Sequence, residues 1–213
     1  MMKTYEAHYV ASAKIGRDGL IDASEWEKAN VETRFSFPWE DRAAPRTEFR
    51  ALFDERALYF AFRVDDDDVV LVEDFRRKDD VVYEDRVELF LALDEKLAEY
   101  FCLEMDPLGR VLDYRAAHYR KFDFSWTFPG LKVAGRQTGD GYAVDGMIPL
   151  ASLKSLGFPS PGPACSIQFG IYRAEFRHGE KAAVEGWISW VDPRTKEPDF
   201  HVPESFGRLK MIR

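Results

Sequence analysis

The stretch of residues 85–93 constrains the fold more than any other part of the sequence. Aliphatic residues occupy every second position, and a β-strand places alternate side chains on opposite faces. One face is therefore directed toward a core and carries Val87, Leu89, Leu91 and Leu93. The other face carries a cation, a carboxylate and a phenyl ring at Arg86, Glu88 and Phe90. That face can bind a polar ligand with apolar patches, such as a sugar, or it can be a solvated outer surface with an Arg–Glu pair.

The same alternation recurs along the chain. Residues 47–53 and 58–64 alternate on either side of a charged turn, which predicts a β-hairpin. Short helices are predicted with Asp22 or Ser24 as N-cap and with Pro149 in a first turn. Helical periodicity is otherwise scarce, and about ten short strands are separated by turn residues. The sequence therefore predicts an all-β fold, a two-sheet antiparallel β-sandwich with one or two short helices.

Composition excludes several classes of partner. The 213 residues include 38 acidic and 30 basic ones, which gives a net charge of −8. Nucleic acids and anionic membranes bind basic surfaces, so neither is expected as a partner. A hydrophobic fraction of 46% suffices for a sizeable core, and we expect a single domain over residues 1–213.

The start of the chain and the two cysteines bear on the compartment. Residues 1–10 lack the apolar segment of a secretory leader, which predicts a cytoplasmic protein. A protein whose leader had been removed would instead be extracellular or periplasmic. Cys102 and Cys165 have no metal-type spacing, and the sequence fits either two free thiols or one disulfide between them.

Several short motifs follow one another along nearly the whole chain. They are the segments 18–22, 25–26, 52–55, 58–62, 85–91, 106–109, 141–149, 188–190 and 200–207. In residue type, order and spacing this series resembles carbohydrate-binding module family 9. The resemblance implies a β-sandwich similar to the DOMON fold and non-catalytic binding of a sugar of the xylan or cellulose type. It also implies a glycoside hydrolase as partner, a role in polysaccharide breakdown and, in many members, a structural Ca²⁺.

The resemblance also implies where a sugar would bind, in a slot between two tryptophans with polar groups at its base. The acidic residue of that slot falls on Glu88 and the late tryptophan falls on Trp190. Three positions depart from the pattern, namely Val82 for the first tryptophan, with Tyr83 beside it, Cys102 for an arginine and Tyr172 for a glutamine.

The residues themselves add two candidates to this set. Arg86 could donate to sugar oxygens, and Trp126 could replace the missing wall or pack on the core. By alternation, the side chains of Trp187 and Trp190 lie on opposite faces of the predicted strand, and Trp187 is interpreted as a packing residue. The predicted sugar-binding residues are Glu88, Trp190, Tyr172, Arg86, Tyr83 and Trp126.

An acidic run at residues 65–68 needs an explanation, because four adjacent carboxylates repel one another. They can lie in solvent at a strand end or surround a cation, although the run lacks the features of an EF-hand loop. A structural Ca²⁺ is therefore one interpretation. Arg173 points inward by alternation and is interpreted either as a donor to a sugar or as a buried partner of Glu175 or Asp145.

Two other functions remain open. Glycoside hydrolysis uses two carboxylates about 5–10 Å apart across the sugar, and Glu88 and Glu104 are candidates on neighbouring strands. The sequence contains no Gly-x-Ser-x-Gly or His-Glu-x-x-His motif. Alternatively, five aromatic residues within 116–130 could form a contact patch for a partner protein.

Overall fold

The computed structural model describes residues 2–179 and 183–213 of the chain. Strands dominate this described part, as the alternation predicts. They are β1 (Thr4–Tyr9), β2 (Thr47–Phe53), β3 (Ala57–Asp65), β4 (Arg86–Ala92), β5 (Tyr100–Met105), β6 (Val111–Ala117), β7 (Lys121–Asp123), β8 (Lys132–Thr138), β9 (Gly141–Pro149), β10 (Ile167–Arg177), β11 (Ala183–Ser189) and β12 (Gly207–Ile212).

The all-β prediction is confirmed, but the prediction of two antiparallel sheets is not, because the strands form one continuous mixed sheet. The strand order is β7-β6-β5-β4-β10-β12-β1-β2-β3-β9-β8, and β11 pairs with β10. Most pairs are antiparallel, but β1 runs parallel to both β12 and β2 and so joins the two halves of the sheet. Parallel pairing needs long connections between the strands, which alternation within each strand cannot reveal.

The sheet curls so that its two halves enclose one main core. The inward residues of β4 contribute Val87, Leu89 and Leu91, as predicted, and β2 and β3 contribute Phe49 and Phe60 from the other half. These side chains are essentially inaccessible to solvent, and their burial supplies the main driving force for folding.

A second apolar cluster covers the opposite face of β4. Phe90 is fully buried there, and its ring lies 4.9 Å from that of Tyr172 on β10. Phe200 and Phe206, from the segment that connects β11 to β12, pack over these rings. The face that carries Arg86, Glu88 and Phe90 is therefore roofed by a connecting segment and is not a solvated outer surface.

Helical structure is confined to short turns, as predicted. In the described residues it comprises α1 (Leu150–Ser155) and the 3-10 turns Ala23–Lys28, Lys78–Tyr83 and Pro203–Ser205. The Asp22 carboxylate accepts a hydrogen bond from the Ser24 amide at 3.0 Å, which caps the first turn. Neither α1 nor any other described helix is long and apolar enough to cross a membrane. Cys102 and Cys165 are both buried and free.

Gly146 on β9 lies opposite Phe60 on β3, and a Cβ atom there would come within 2.1 Å of the Phe60 ring. We expect Gly146→Ala to lower the free energy of unfolding by about 1–3 kcal/mol, because the buried ring has to move. Urea denaturation measures this change. Gly139→Ala is the matched control, because nothing lies within 4 Å of a Cβ at that position. Equal stabilities of the two variants would contradict this account.

Candidate functional site

A cavity of about 240 Å³ opens on the roofed face of β4, β5 and β6. The elements around it are the three strands, β11, the β6–β7 hairpin and the segment that leads to β12. Its lining comprises Val82, Arg86, Glu88, Glu104, Leu112, Tyr114, Arg120, Phe122, Phe124, Trp187, Pro198, Asp199, Phe200 and His201. Charged groups and aromatic rings thus share one concave surface, which is typical of a site for a small polar ligand.

The floor of the cavity is a buried charge cluster. Arg86 Nε donates to Glu88 Oε1 at 3.0 Å and lies 2.7 Å from Glu104 Oε2. Glu88 and Glu104 are directly opposite each other on β4 and β5, which brings both carboxylates to one guanidinium. The Tyr114 hydroxyl donates to Glu104 Oε1 at 2.8 Å. Two strands in register therefore build the floor.

Burial, together with the neighbouring charge of Glu104, raises the pKa of Glu88 to about 8, although Arg86 opposes both effects. At neutral pH the Glu88 carboxyl therefore carries a proton. The floor then contains the Arg86 guanidinium beside the protonated carboxyl of Glu88. This set can both donate hydrogen bonds to hydroxyl groups and accept them.

Trp187 forms one aromatic part of the lining. It is paired with Ala174 on β10, and Ala174 is in turn paired with Arg86 on β4. The small Ala174 side chain allows the indole to reach the guanidinium, and the Arg86 Cζ atom lies 5.5 Å from the Trp187 ring centroid. Phe200 continues the lining and stacks on Tyr172 beneath it, with ring centroids 4.2 Å apart.

The rim is held by an ion pair between two loops. Arg120 Nη1 donates to Asp199 Oδ1 at 3.0 Å, and the Tyr119 hydroxyl donates to Asp199 Oδ2 at 2.6 Å. His201 stacks on Phe90, and the distance from its Nδ1 to the Tyr100 hydroxyl is 3.1 Å. Burial, together with the charge of Arg120, lowers the pKa of His201 to about 3, so the ring is neutral.

Comparison with known proteins identifies the type of domain that carries this cavity. Residues 17–213 match the family described as carbohydrate family 9 binding domain-like. The chain belongs to this family. A comparison with curated proteins found no match.

Solved structures share the fold of this family 9 domain. A protein of Bacteroides uniformis ATCC 8492 that is proposed to bind carbohydrate matches with a TM-score of 0.73 and 17% identity over 100% of both chains. The family 9 module of Caldicellulosiruptor kristjanssonii in complex with glucose matches with a TM-score of 0.65 and 16% identity, over 99% of this chain and 96% of that one. The same module in complex with cellotriose matches with a TM-score of 0.64 and 16% identity, over 99% of this chain and 94% of that one.

The cavity of the family 9 domain contains two of the six predicted residues. Glu88 and Arg86 both lie on its floor. Trp190 does not line it, and the expectation of an indole wall at this position is wrong. Its side chain is fully buried in the main core, on the opposite side of the strand from Trp187. Trp187 therefore lines the cavity, as the sequence suggested for Trp190, and Trp190 packs in the core, as the sequence suggested for Trp187.

The other predicted residues lie outside the cavity lining. Tyr172 is buried beneath Phe200, with its hydroxyl 2.7 Å from Ser205 Oγ. Tyr83 is 66% exposed but does not contribute to the lining. Trp126 packs against Phe101 at 5.0 Å, so of its two interpretations the core one is confirmed.

Aromatic residues of the 116–130 segment do not form one continuous patch in the family 9 domain. Phe122 and Phe124 line the cavity, whereas Phe128 is buried in the main core. Sequence reasoning missed Trp187 and Phe200 as cavity residues. The alternation of residues in β11 is visible in the sequence. Only the pairing of Trp187 with Ala174, however, shows that Trp187 lies on the same face of the sheet as Glu88.

The acidic run at 65–68 faces basic side chains from β10 and the residue that follows it. Arg177 approaches Asp67 at 3.4 Å, and His178 Nδ1 lies 2.7 Å from Asp68 Oδ1. Asp66 turns inward to the buried Arg173. The interpretation of Arg173 as a buried partner of Glu175 is confirmed by an ion pair between them.

Protonation of the floor predicts a pH dependence of stability. Unfolded chains lose the Glu88 proton near pH 4.5, whereas the folded domain keeps it up to about pH 8. Since the folded state binds the extra proton between these values, the free energy of unfolding falls as pH rises through that window. Urea denaturation at pH 5, 6.5 and 8 measures the fall.

In Glu88→Gln the side chain at this position cannot titrate. The free energy of unfolding of this variant should therefore fall less steeply with pH than that of the unmodified protein, by up to about 1.4 kcal/mol per pH unit. A residual slope is expected, because the pKa values of Asp85 and Glu175 are also raised by burial, to about 7 and about 8. An unchanged slope in Glu88→Gln would contradict the assignment of the proton to Glu88.

Proposed function

We propose that this domain binds one ring of a neutral sugar, free or within an oligosaccharide, in the cavity above Arg86 and Glu88, without cleaving it. The observation that carries the proposal is the combination of a charged, hydrogen-bonding floor with aromatic lining in a single cavity. Membership of a carbohydrate-binding family supports it independently of that geometry.

Both parts of the cavity match the chemistry of a sugar ring. Hydroxyl groups around the ring edge would meet Arg86, Glu88 and Glu104, and charge-assisted hydrogen bonds of this kind are stronger than neutral ones. The apolar C–H faces of the ring would pack on Trp187 and Phe200, since aromatic rings present broad apolar surfaces. The net charge of −8 is compatible with a neutral ligand and unfavourable for an anionic one.

The size of the cavity limits the ligand. Its volume of about 240 Å³ is below the range of about 300–1,000 Å³ of clefts that enclose drug-sized ligands. One ring is therefore enclosed, and the remainder of a longer glycan would extend past the Arg120–Asp199 rim into solvent. The burial of so little area is expected to give a Kd between about a micromolar and a millimolar.

Further parts of the proposal concern the biological setting. The resemblance to family 9 supports a glycan of the xylan or cellulose type and an associated glycoside hydrolase. The glucose and cellotriose complexes of the Caldicellulosiruptor kristjanssonii module support the same class of ligand. A single domain over residues 1–213 and a cytoplasmic location remain predictions.

A hydrolase that uses Glu88 and Glu104 is disfavoured by the geometry of the floor. Glycosidases place an acid and a base or nucleophile on either side of the scissile bond. Here both carboxylates contact the same Arg86 nitrogen and lie side by side beneath the cavity. We therefore expect no release of reducing sugar from xylan or cellulose oligosaccharides. Release that Glu88→Gln abolishes would instead establish an enzyme.

Isothermal titration with glucose, cellotriose, xylotriose and galacto-oligosaccharides tests sugar binding. We expect Trp187→Ala to weaken the binding of the best ligand by about tenfold or more, since loss of a central aromatic contact typically costs over about 1 kcal/mol. Circular dichroism verifies that the variant is folded.

Tyr83→Ala is the matched control, because Tyr83 is an exposed aromatic residue outside the cavity lining. Its affinity should equal that of the unmodified protein. The absence of heat with every sugar, or equal losses in the two variants, would overturn the proposed site.

A further inference from the structure

A second buried charge cluster lies outside the sugar cavity. Asp66, Asp85 and Glu175 each present a carboxylate oxygen, and these oxygens lie within 4.8 Å of one another. All three residues are more than nine-tenths buried. Three carboxylates so close together and so well shielded from water require positive charge or protons nearby.

Proteins commonly meet this requirement with a divalent cation such as Ca²⁺, which binds carboxylate oxygens. In this chain Arg173 enters the cluster from β10 and is fully buried. Its Nη2 lies 3.3 Å from Asp66 Oδ2 and makes a shorter ion pair with Glu175 Oε2. Its Nη1 donates to the Asp65 carbonyl at 3.1 Å. The guanidinium therefore contacts carboxylate oxygens of two of the three residues that a metal ion would need.

The remaining carboxylate, Asp85, is satisfied by the backbone. Its Oδ1 accepts from the Phe176 amide at 2.7 Å, and its Oδ2 accepts from the Val70 amide at 2.6 Å. Burial raises the pKa of Asp85 to about 7 and that of Glu175 to about 8, which reduces the negative charge left to neutralise. A divalent ion placed among these oxygens would be repelled by Arg173, whose charge is permanent.

We propose that Arg173 is the resident cation of this cluster, and that its guanidinium takes the place of a divalent metal ion. The residues of the cluster therefore do not fit Ca²⁺ as long as Arg173 is present. The rest of the acidic run follows the same pattern, since Arg177 and His178 face Asp67 and Asp68. Arg173 and Arg177 on β10 thus supply positive charge that an acidic loop of this kind would otherwise take from a metal.

Thermal unfolding of the full chain tests the proposal, in EDTA and in millimolar CaCl2 after removal of EDTA. The Tm of the unmodified protein should be the same in both solutions, and calorimetric titration with CaCl2 should give no binding heat. Arg173→Met removes the charge and keeps much of the side-chain length. Its Tm in EDTA should fall by about 6–20 °C, because the buried carboxylates lose their partner. CaCl2 should restore part of that loss.

Arg63→Met is the matched control, because it removes a half-buried arginine whose partner Asp145 also binds Arg136. Its Tm should change little and should not respond to CaCl2. A CaCl2-dependent rise in the Tm of the unmodified protein that Glu175→Gln abolishes would overturn the proposal. A folded Arg173→Met variant that CaCl2 does not stabilise would also overturn it. If Arg173→Met does not fold, the proposal is tested by the Tm of the unmodified protein in EDTA and in CaCl2.

Discussion

The contact of Arg86 with Glu88 and Glu104 is the interaction on which the candidate site depends. Removing one partner from a buried ion cluster leaves charge without compensation, which is strongly unfavourable. The three side chains therefore hold β4 and β5 in one register and present their polar atoms to one cavity. Tyr114 on β6 extends the same network through its bond to Glu104.

Burial makes this floor different from an exposed ion pair. Surface pairs contribute little because water screens them. Here the segment between β11 and β12 and the aromatic cluster around Phe90 exclude water from one side, while the cavity leaves the other side accessible. The result is a set of hydrogen-bonding groups that is preorganised before any ligand arrives, which lowers the entropic cost of binding.

The neighbouring strands β4 and β10 each carry one buried arginine, on opposite faces of the sheet. Arg86 shares its face with Glu88, and Arg173 lies among the inward residues of β10. Each guanidinium contacts two acidic side chains. The Arg86 cluster lines the cavity together with Trp187 and Phe200, whereas Arg173 lies in the interior, with its Cζ atom 5.8 Å from the centroid of the Tyr142 ring.

The sequence by itself determined the strands, the hairpin of β2 and β3, and the side of β4 on which Arg86 and Glu88 lie. These follow from alternation, which is a property of one strand and needs no knowledge of its neighbours. The motif series likewise indicated the family. The tertiary structure alone decided that the strands join in one mixed sheet, and that Trp187 rather than Trp190 lines the cavity. It also decided that the face of Glu88 is roofed by residues that lie about a hundred positions further along the chain. Such features depend on strand register and on contacts between distant segments, and a local pattern of residue types contains no information about either.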